Sequence, residues 1–451
     1  MYKFIGLVIW LFILLIPVTD AAEVGPGAKE AKLARTEALA QRDVQKGAMS
    51  SARLEYDGPR LDLVIPLLDP GLPADQSSWE AKGIQPELRR AEAVWFAKKM
   101  AEALDETGVF NSVLVVPDGS VSADFYLMGK INESNGEDFK LGFTLYDATG
   151  RKVRTKGKKG KKGKKQGLNL KVRVSPLFYL DPATKDMEPL GLHYKDLARN
   201  IAEQVIAINT KDKKLAKKNE KHRAKGKFKK IKPLALENIV STRRAVFATD
   251  LSPEEFPDVL SERKGVYKLL YTPDFEQDNW QRVSSIIEVD QQFNRLMDQN
   301  YKTLAEDMNV TYRTYLRDAY TISSQARKDR EARNAAIAGA IFGALAAGAM
   351  ASNSSSSAGQ TAAAAMAVAS AAAAITAIKQ SSQYQEQKEL LNELGASVAA
   401  SLSPRVIEME GREVQLSGTA TEQQAQWRTL MQELYDEGIS DIGAIEVIEV
   451  L

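Results

Sequence analysis

The chain of 451 residues contains no cysteine and only two histidines, His193 and His222. The first absence excludes a disulfide framework and the lipid-modified cysteine of a lipoprotein. The second leaves no Cys/His zinc site, and a Ser-His-Asp arrangement would have to use one of these two imidazoles. Catalytic motifs of fixed spacing are missing too. Asp and Glu are plentiful, so a hydrolase of wall polymers stands as a remote alternative, but no spacing singles out a carboxylate pair. The expectation is a chain without catalytic residues, metal or cofactor, and not an enzyme.

What is present begins with residues 1–22, which read as a secretory signal. Lys3 supplies the charge, 4–16 the apolar core, and 17–22 the exit, with Thr19 and Ala21 at the small-residue positions. The apolar run is about 13 residues, short for a membrane span. Export to the periplasm or the periplasmic face of an envelope membrane is therefore expected. Residues 23–59, rich in Ala, Lys, Glu and Gly, read as a flexible lead-in.

The net charge of +2 hides an asymmetry. Residues 151–165 carry ten Lys or Arg and no acid, and residues 211–232 carry twelve and two acids. The first run belongs to a β-hairpin loop, 151–167, made flexible by Gly at every third place. No G-x-x-x-x-G-K-[ST] phosphate loop can be read in it. The second reads as a basic linker, 210–233. Either is a solvated charged segment, or together they bind an anionic surface through Lys158, Lys159, Lys161, Lys162, Lys164, Lys165, Lys217, Lys218, Lys227, Lys229 and Lys230. Lipid head groups, lipopolysaccharide or acidic polymer would fit. Nucleic acid fits the charge but is not expected, because Phe228 alone interleaves the run and an exported chain rarely meets it.

At 451 residues and 44% hydrophobic content, two to four domains are expected. The fold class read from the pattern is α+β. Residues 60–209 form an α/β sandwich-type domain, with strands at 61–68, 112–116, 123–131, 140–146 and 168–174 and helices at 86–108 and 193–208. Residues 234–334 are helical; Ser252 reads as an N-cap with Glu255 in capping-box register. One long helix could run from there into the next segment, giving a bundle over 234–402. Residues 335–378 read as an Ala/Gly-rich helical hairpin at its tip. In it Gly339, Gly343 and Ala347, then Ala363, Ala367 and Ala371, place small residues four apart for close helix packing or self-association. Each arm is about 25 Å long, short of a roughly 30 Å hydrocarbon core. A hairpin buried in protein is the favoured reading, and a membrane-inserted one the alternative. Residues 383–451 read as a small α-β-β-α-β domain.

Two segments resemble known families. The order strand, helix, strands, helix, with the phrases ETGVFNSVLVVPD, ADFYLMGKI and KLGFTLYDATGRKV, is similar to small α/β domains of bacterial envelope proteins. These include the amino-terminal domain of TolB, the curli-secretion lipoprotein CsgG and the penicillin-binding-protein activator lipoproteins. The resemblance implies a protein-binding or assembly module and structural roles for Phe110, Asp124, Gly129 and Asp147. The carboxyl-terminal RVIEMEGREVQLSGTATEQQAQWRTLMQELY followed by IGAIEVIEV looks like a BON domain. Val414, Leu416, Ser417 and Gly418 are its matching core, followed by a helix with Trp427, Leu430 and Leu434; the approach to its last strand, 437–443, is lengthened here. That likeness implies contact with phospholipid or other envelope components. The combined expectation is a non-enzymatic exported envelope protein that assembles, scaffolds or self-associates. Its partners would be other envelope proteins, an anionic lipid or lipopolysaccharide surface, and further copies of itself. The alternative is a peripheral or hairpin-inserted membrane-binding protein.

Overall fold

The computed structural model describes residues 53–81, 84–153, 168–181, 184, 187–347, 379–399, 402–409, 412–438 and 446–449. The expected signal and most of the lead-in lie outside the described residues. So do Lys158 to Lys165 and the second arm of the Ala-rich hairpin.

Strand β1 (Leu63–Pro66) is followed by helix α1 (Pro86–Asp105), then β2 (Val113–Val116), β3 (Phe125–Ser134), β4 (Asp138–Asp147) and β5 (Leu168–Arg173). They form a five-stranded mixed sheet in the order β2-β1-β3-β4-β5. β1 runs parallel to both neighbours, and β3, β4 and β5 are antiparallel. The alternation of Phe125, Leu127 and Ile131, and of Phe139, Leu141, Phe143 and Leu145, sends one face of the sheet to the core. Pro86 stands at the first turn of α1, where its missing N–H costs nothing. The helix is buried on most sides, and Ala91, Val94, Trp95, Phe96, Ala97 and Met100 are all inaccessible. Gly129 leaves room for a neighbouring side chain: a Cβ there would lie 2.5 Å from Leu68 Cγ.

Helix α2 (Gly191–Ala224) leads to a 3-10 turn at Phe228–Lys230 and then helix α3 (Ala235–Leu251). The segment expected as a linker is thus largely helical, for a physical reason. Between Gly191 and Gly226 the sequence has neither Gly nor Pro and is rich in Ala and Lys, so nothing stops the helix at 208. A second correction falls at Ser252, which closes α3 as its C-cap and starts no helix. The chain instead enters a hairpin of β6 (Leu260–Arg263) and β7 (Val266–Leu269). Lys264 and Gly265, both with positive φ, form its turn.

Helix α4 (Asp278–Ala347) is continuous for 70 residues, about 105 Å at 1.5 Å per residue. Gly339, Gly343 and Ala347 lie on its helical backbone; Ala363, Ala367 and Ala371 are outside the described residues. Helix α5 (Ser382–Ala399) packs chiefly on α1 and also on α4. At Gly395 a Cβ would lie 1.8 Å from the Glu87 carbonyl oxygen, so only glycine lets α5 come this close. Then come β8 (Leu402–Met409), β9 (Arg412–Gly418), helix α6 (Ala420–Asp436) and β10 (Glu446–Glu449), with sheet order β10-β8-β9. A capping box starts α6: the Thr419 hydroxyl accepts from the Glu422 N–H, and the Glu422 carboxylate accepts from the Thr419 N–H.

The helices after α3 do not form a separate bundle. Met49–Leu451 is one compact unit, in which a large apolar cluster runs from Leu61 to Tyr435 beside a small one of Val64, Val116, Val121 and Ala123. Its seams are polar as well as apolar. Lys98 of α1 donates from Nζ to Asp298 Oδ1 on α4 at 2.8 Å, and the same oxygen accepts the Val115 N–H of edge strand β2 at 2.7 Å. The Trp427 ring of α6 stacks on Phe293 of α4 with centroids 4.4 Å apart. The fold is α+β.

Candidate functional site

The sequence pointed to the second basic run, and the structure gives it shape. Past Asn209, α2 keeps one face inward although that face turns polar. Asp212 and Asn219 are buried there, with Leu215 and Ala216 half-buried beside them. The Asp212 carboxylate accepts the Ala235 and Leu236 N–H groups at 2.9 and 2.8 Å, which caps the start of α3. The Asn219 amide donates to the Lys232 carbonyl at 2.7 Å and accepts the Lys232 N–H at 3.2 Å. These four bonds fold the returning chain along the inner face of the helix.

At 100° per residue, Lys211, Lys213, Lys214, Lys217, Lys218 and Lys221 fall on the opposite half of the helix. All twelve Lys and Arg from 211 to 232 are exposed. Lys213 is paired with Asp57. Of the two acids in the run, Asp212 is used as a cap, which leaves Glu220 as the exposed one. Lys225, Lys227, Lys229 and Lys230 surround the end of the arm, where Phe228 is 67% exposed. The His222 imidazole is pushed below its usual value, by partial burial first and then by Lys218, Lys230, Lys227 and Lys225. Lys217, Lys218, Lys227, Lys229 and Lys230 of the expected set therefore share one ordered basic arm.

A second concentration of polar groups was not foreseen. Arg243 of α3 is buried, and its Nη1 donates to Asp62 Oδ2 at 2.8 Å and Asp124 Oδ2 at 3.2 Å, while Nε donates to Ser122 Oγ at 3.2 Å. Asp62 also accepts from Asn111, Ser112 and Gln291. Burial works against the Asp62 charge, yet Arg243, Asn111 and Ser112 hold its carboxyl below the usual range. Asp124 accepts the Asp62 N–H on Oδ2, but its Oδ1 lacks a partner, and burial pushes it up despite Arg243. Close by, Asp290 of α4 accepts from Trp427 Nε1 at 3.1 Å and Asn294 Nδ2 at 2.9 Å. Burial raises it to about 6. Asp62 directly precedes β1 and Asp124 directly precedes β3, but their partner lies 119 to 181 residues away, and nothing local names it.

A cavity of about 600 Å³ opens against this cluster, walled by the end of the sheet, α3, the β6–β7 turn and α6. Among the described residues no group of acidic or imidazole side chains is arranged to hold a metal ion, and no helix is long and apolar enough to cross a membrane. Comparison with protein-family models, curated proteins and solved structures finds no match.

Proposed function

We propose that the chain is a non-enzymatic assembly protein of the cell envelope that docks peripherally on an anionic lipid surface through the arm formed by the end of α2 and the 3-10 turn. The observation that carries this is the arm's one-sidedness: its buried polar groups are consumed in holding the return chain, and its lysines face outward together. Each Lys or Arg near an anionic membrane contributes about 1 kcal/mol. Lysine outnumbers arginine eleven to one in the run, which suits a diffuse charged surface better than bidentate phosphate recognition. Phe228 at the end adds an aromatic ring suited to the interface of a bilayer. The secretion-like amino terminus and the order helix-strand-strand-helix-strand at the carboxyl end, the order of a BON module, support an envelope setting by analogy. Self-association through the small-residue stripe of 335–378 remains part of the proposal.

The test is binding of the full chain to vesicles containing phosphatidylglycerol, with phosphatidylcholine vesicles and duplex DNA as comparisons. Reversing Lys214, Lys217, Lys218 and Lys221 to Glu removes at least four favourable contacts. Affinity should fall by about a thousandfold, the equivalent of about 4 kcal/mol, with thermal stability retained. Equal binding to both vesicle types, or binding to DNA alone, would overturn the proposal.

A further inference from the structure

The cavity beside Arg243 is built from segments far apart in the chain, and two of its lining residues each carry a buried polar atom without a partner, one a donor and one an acceptor. Arg243 is 8% exposed; its Nε and Nη1 are bonded, but Nη2 donates to nothing. Gln424, on α6, is 2% exposed and its Oε1 accepts nothing. An unmet buried donor or acceptor costs about 1–3 kcal/mol. Both residues line one cavity of about 600 Å³, so a molecule bound there that drew these two side chains to its surface would supply both an acceptor and a donor. That volume falls in the range of small-molecule sites.

The surrounding charge selects the chemistry. The Arg243 guanidinium is already shared by Asp62 and Asp124, and Asp290 stands in the same wall, so an added anion meets carboxylates rather than an unspent cation. An added cation meets Arg428 and Lys264. Neither sign is favoured. The rest of the lining is amphipathic: Val246, Phe247 and Met431 are apolar, and Tyr146 and Tyr267 are aromatic with a polar end. Hydroxyl groups both accept and donate, and a ring carrying them also has an apolar face.

We propose that this cavity binds a small neutral polyhydroxylated ligand, of which a single sugar ring is the simplest form. Arg243 Nη2 donates to it, Gln424 Oε1 accepts from it, and the apolar and tyrosyl walls cover its ring. The proposal does not depend on the basic arm or on membrane attachment.

A matched series tests it: glucose and N-acetylglucosamine as neutral rings, glucuronate as the anion and glucosamine as the cation. Each is titrated into the full chain, with saturation transfer to the ligand as the readout. The neutral rings should bind and both charged ones should bind at least tenfold more weakly. Gln424→Leu, which removes the acceptor but keeps a buried side chain, should weaken the neutral rings at least tenfold with the melting temperature retained. Val246→Trp, which fills the cavity from α3, should abolish binding and provides a second variant should the first fold poorly. The proposal is overturned if no ring binds, if a charged ring binds best, if binding survives Val246→Trp, or if a crystal soaked with the sugar shows ordered water alone between Arg243 and Gln424.

Discussion

Asp290 shows how one buried carboxyl is tied to the stability of the molecule. Both oxygens are hydrogen-bonded, to Trp427 and Asn294, yet burial raises it to about 6 from 3.8. The fold therefore favours its acid form. That contribution is complete below the unfolded value and is lost as pH rises through about 6, a difference on the order of 3 kcal/mol. Asp290→Asn keeps an acceptor for Trp427 Nε1. If the Asn294 amide turns over, its Oδ1, which has no partner now, accepts from the new amide. The variant should match or exceed the parent in denaturant stability at pH 7.5, and should lose part of the parent's decline between about pH 4 and 7. An unchanged pH slope would contradict this account. Nothing in the sequence announced the residue: Asp290 sits among polar neighbours, and its burial comes from α6, whose Trp427 lies 137 residues later.

Elements were more legible than their partners. The helices at 86–105 and 420–436 and the pairing of β4 with β5 follow from local period and turn residues, and they fall close to where the pattern puts them. The misreadings came where composition was taken for conformation. A run of lysines looked like a linker, but Lys is a good helix former, and two buried polar side chains suffice to hold the return chain. Ser252-Pro253-Glu254-Glu255 has the spelling of a helix start, but the chain there closes α3 and turns into a hairpin. The arm as an element makes its own prediction. His222 is held low by burial and by four lysines, and an anionic surface that cancels their field should raise it. With only two histidines in the chain, its imidazole resonance can be followed by NMR. Titration with anionic vesicles should move the His222 midpoint upward and leave His193 in place. No movement at His222 would mean that the lipid binds elsewhere.

For the whole molecule, the expected α/β domain, bundle and small terminal domain lie within one compact unit and share one large apolar cluster. Lys98–Asp298 joins α1 to α4, Arg243 joins α3 to β1 and the start of β3, and Asp290–Trp427 joins α4 to α6. These contacts span 119 to 200 residues, and a pattern read in short windows cannot hold them. The same integration leaves the basic arm as an outward-facing feature of an otherwise acidic chain, and that contrast underlies the proposed attachment. The most direct measurement is fractionation of the full-length protein in cells that make it, with the membranes washed first in high salt and then in alkaline carbonate. Charge-driven peripheral docking predicts that the protein sediments with the membranes and leaves them in the salt wash. Retention through both washes, with release only by detergent, would contradict it and place the Ala-rich segment 335–378 in the bilayer instead.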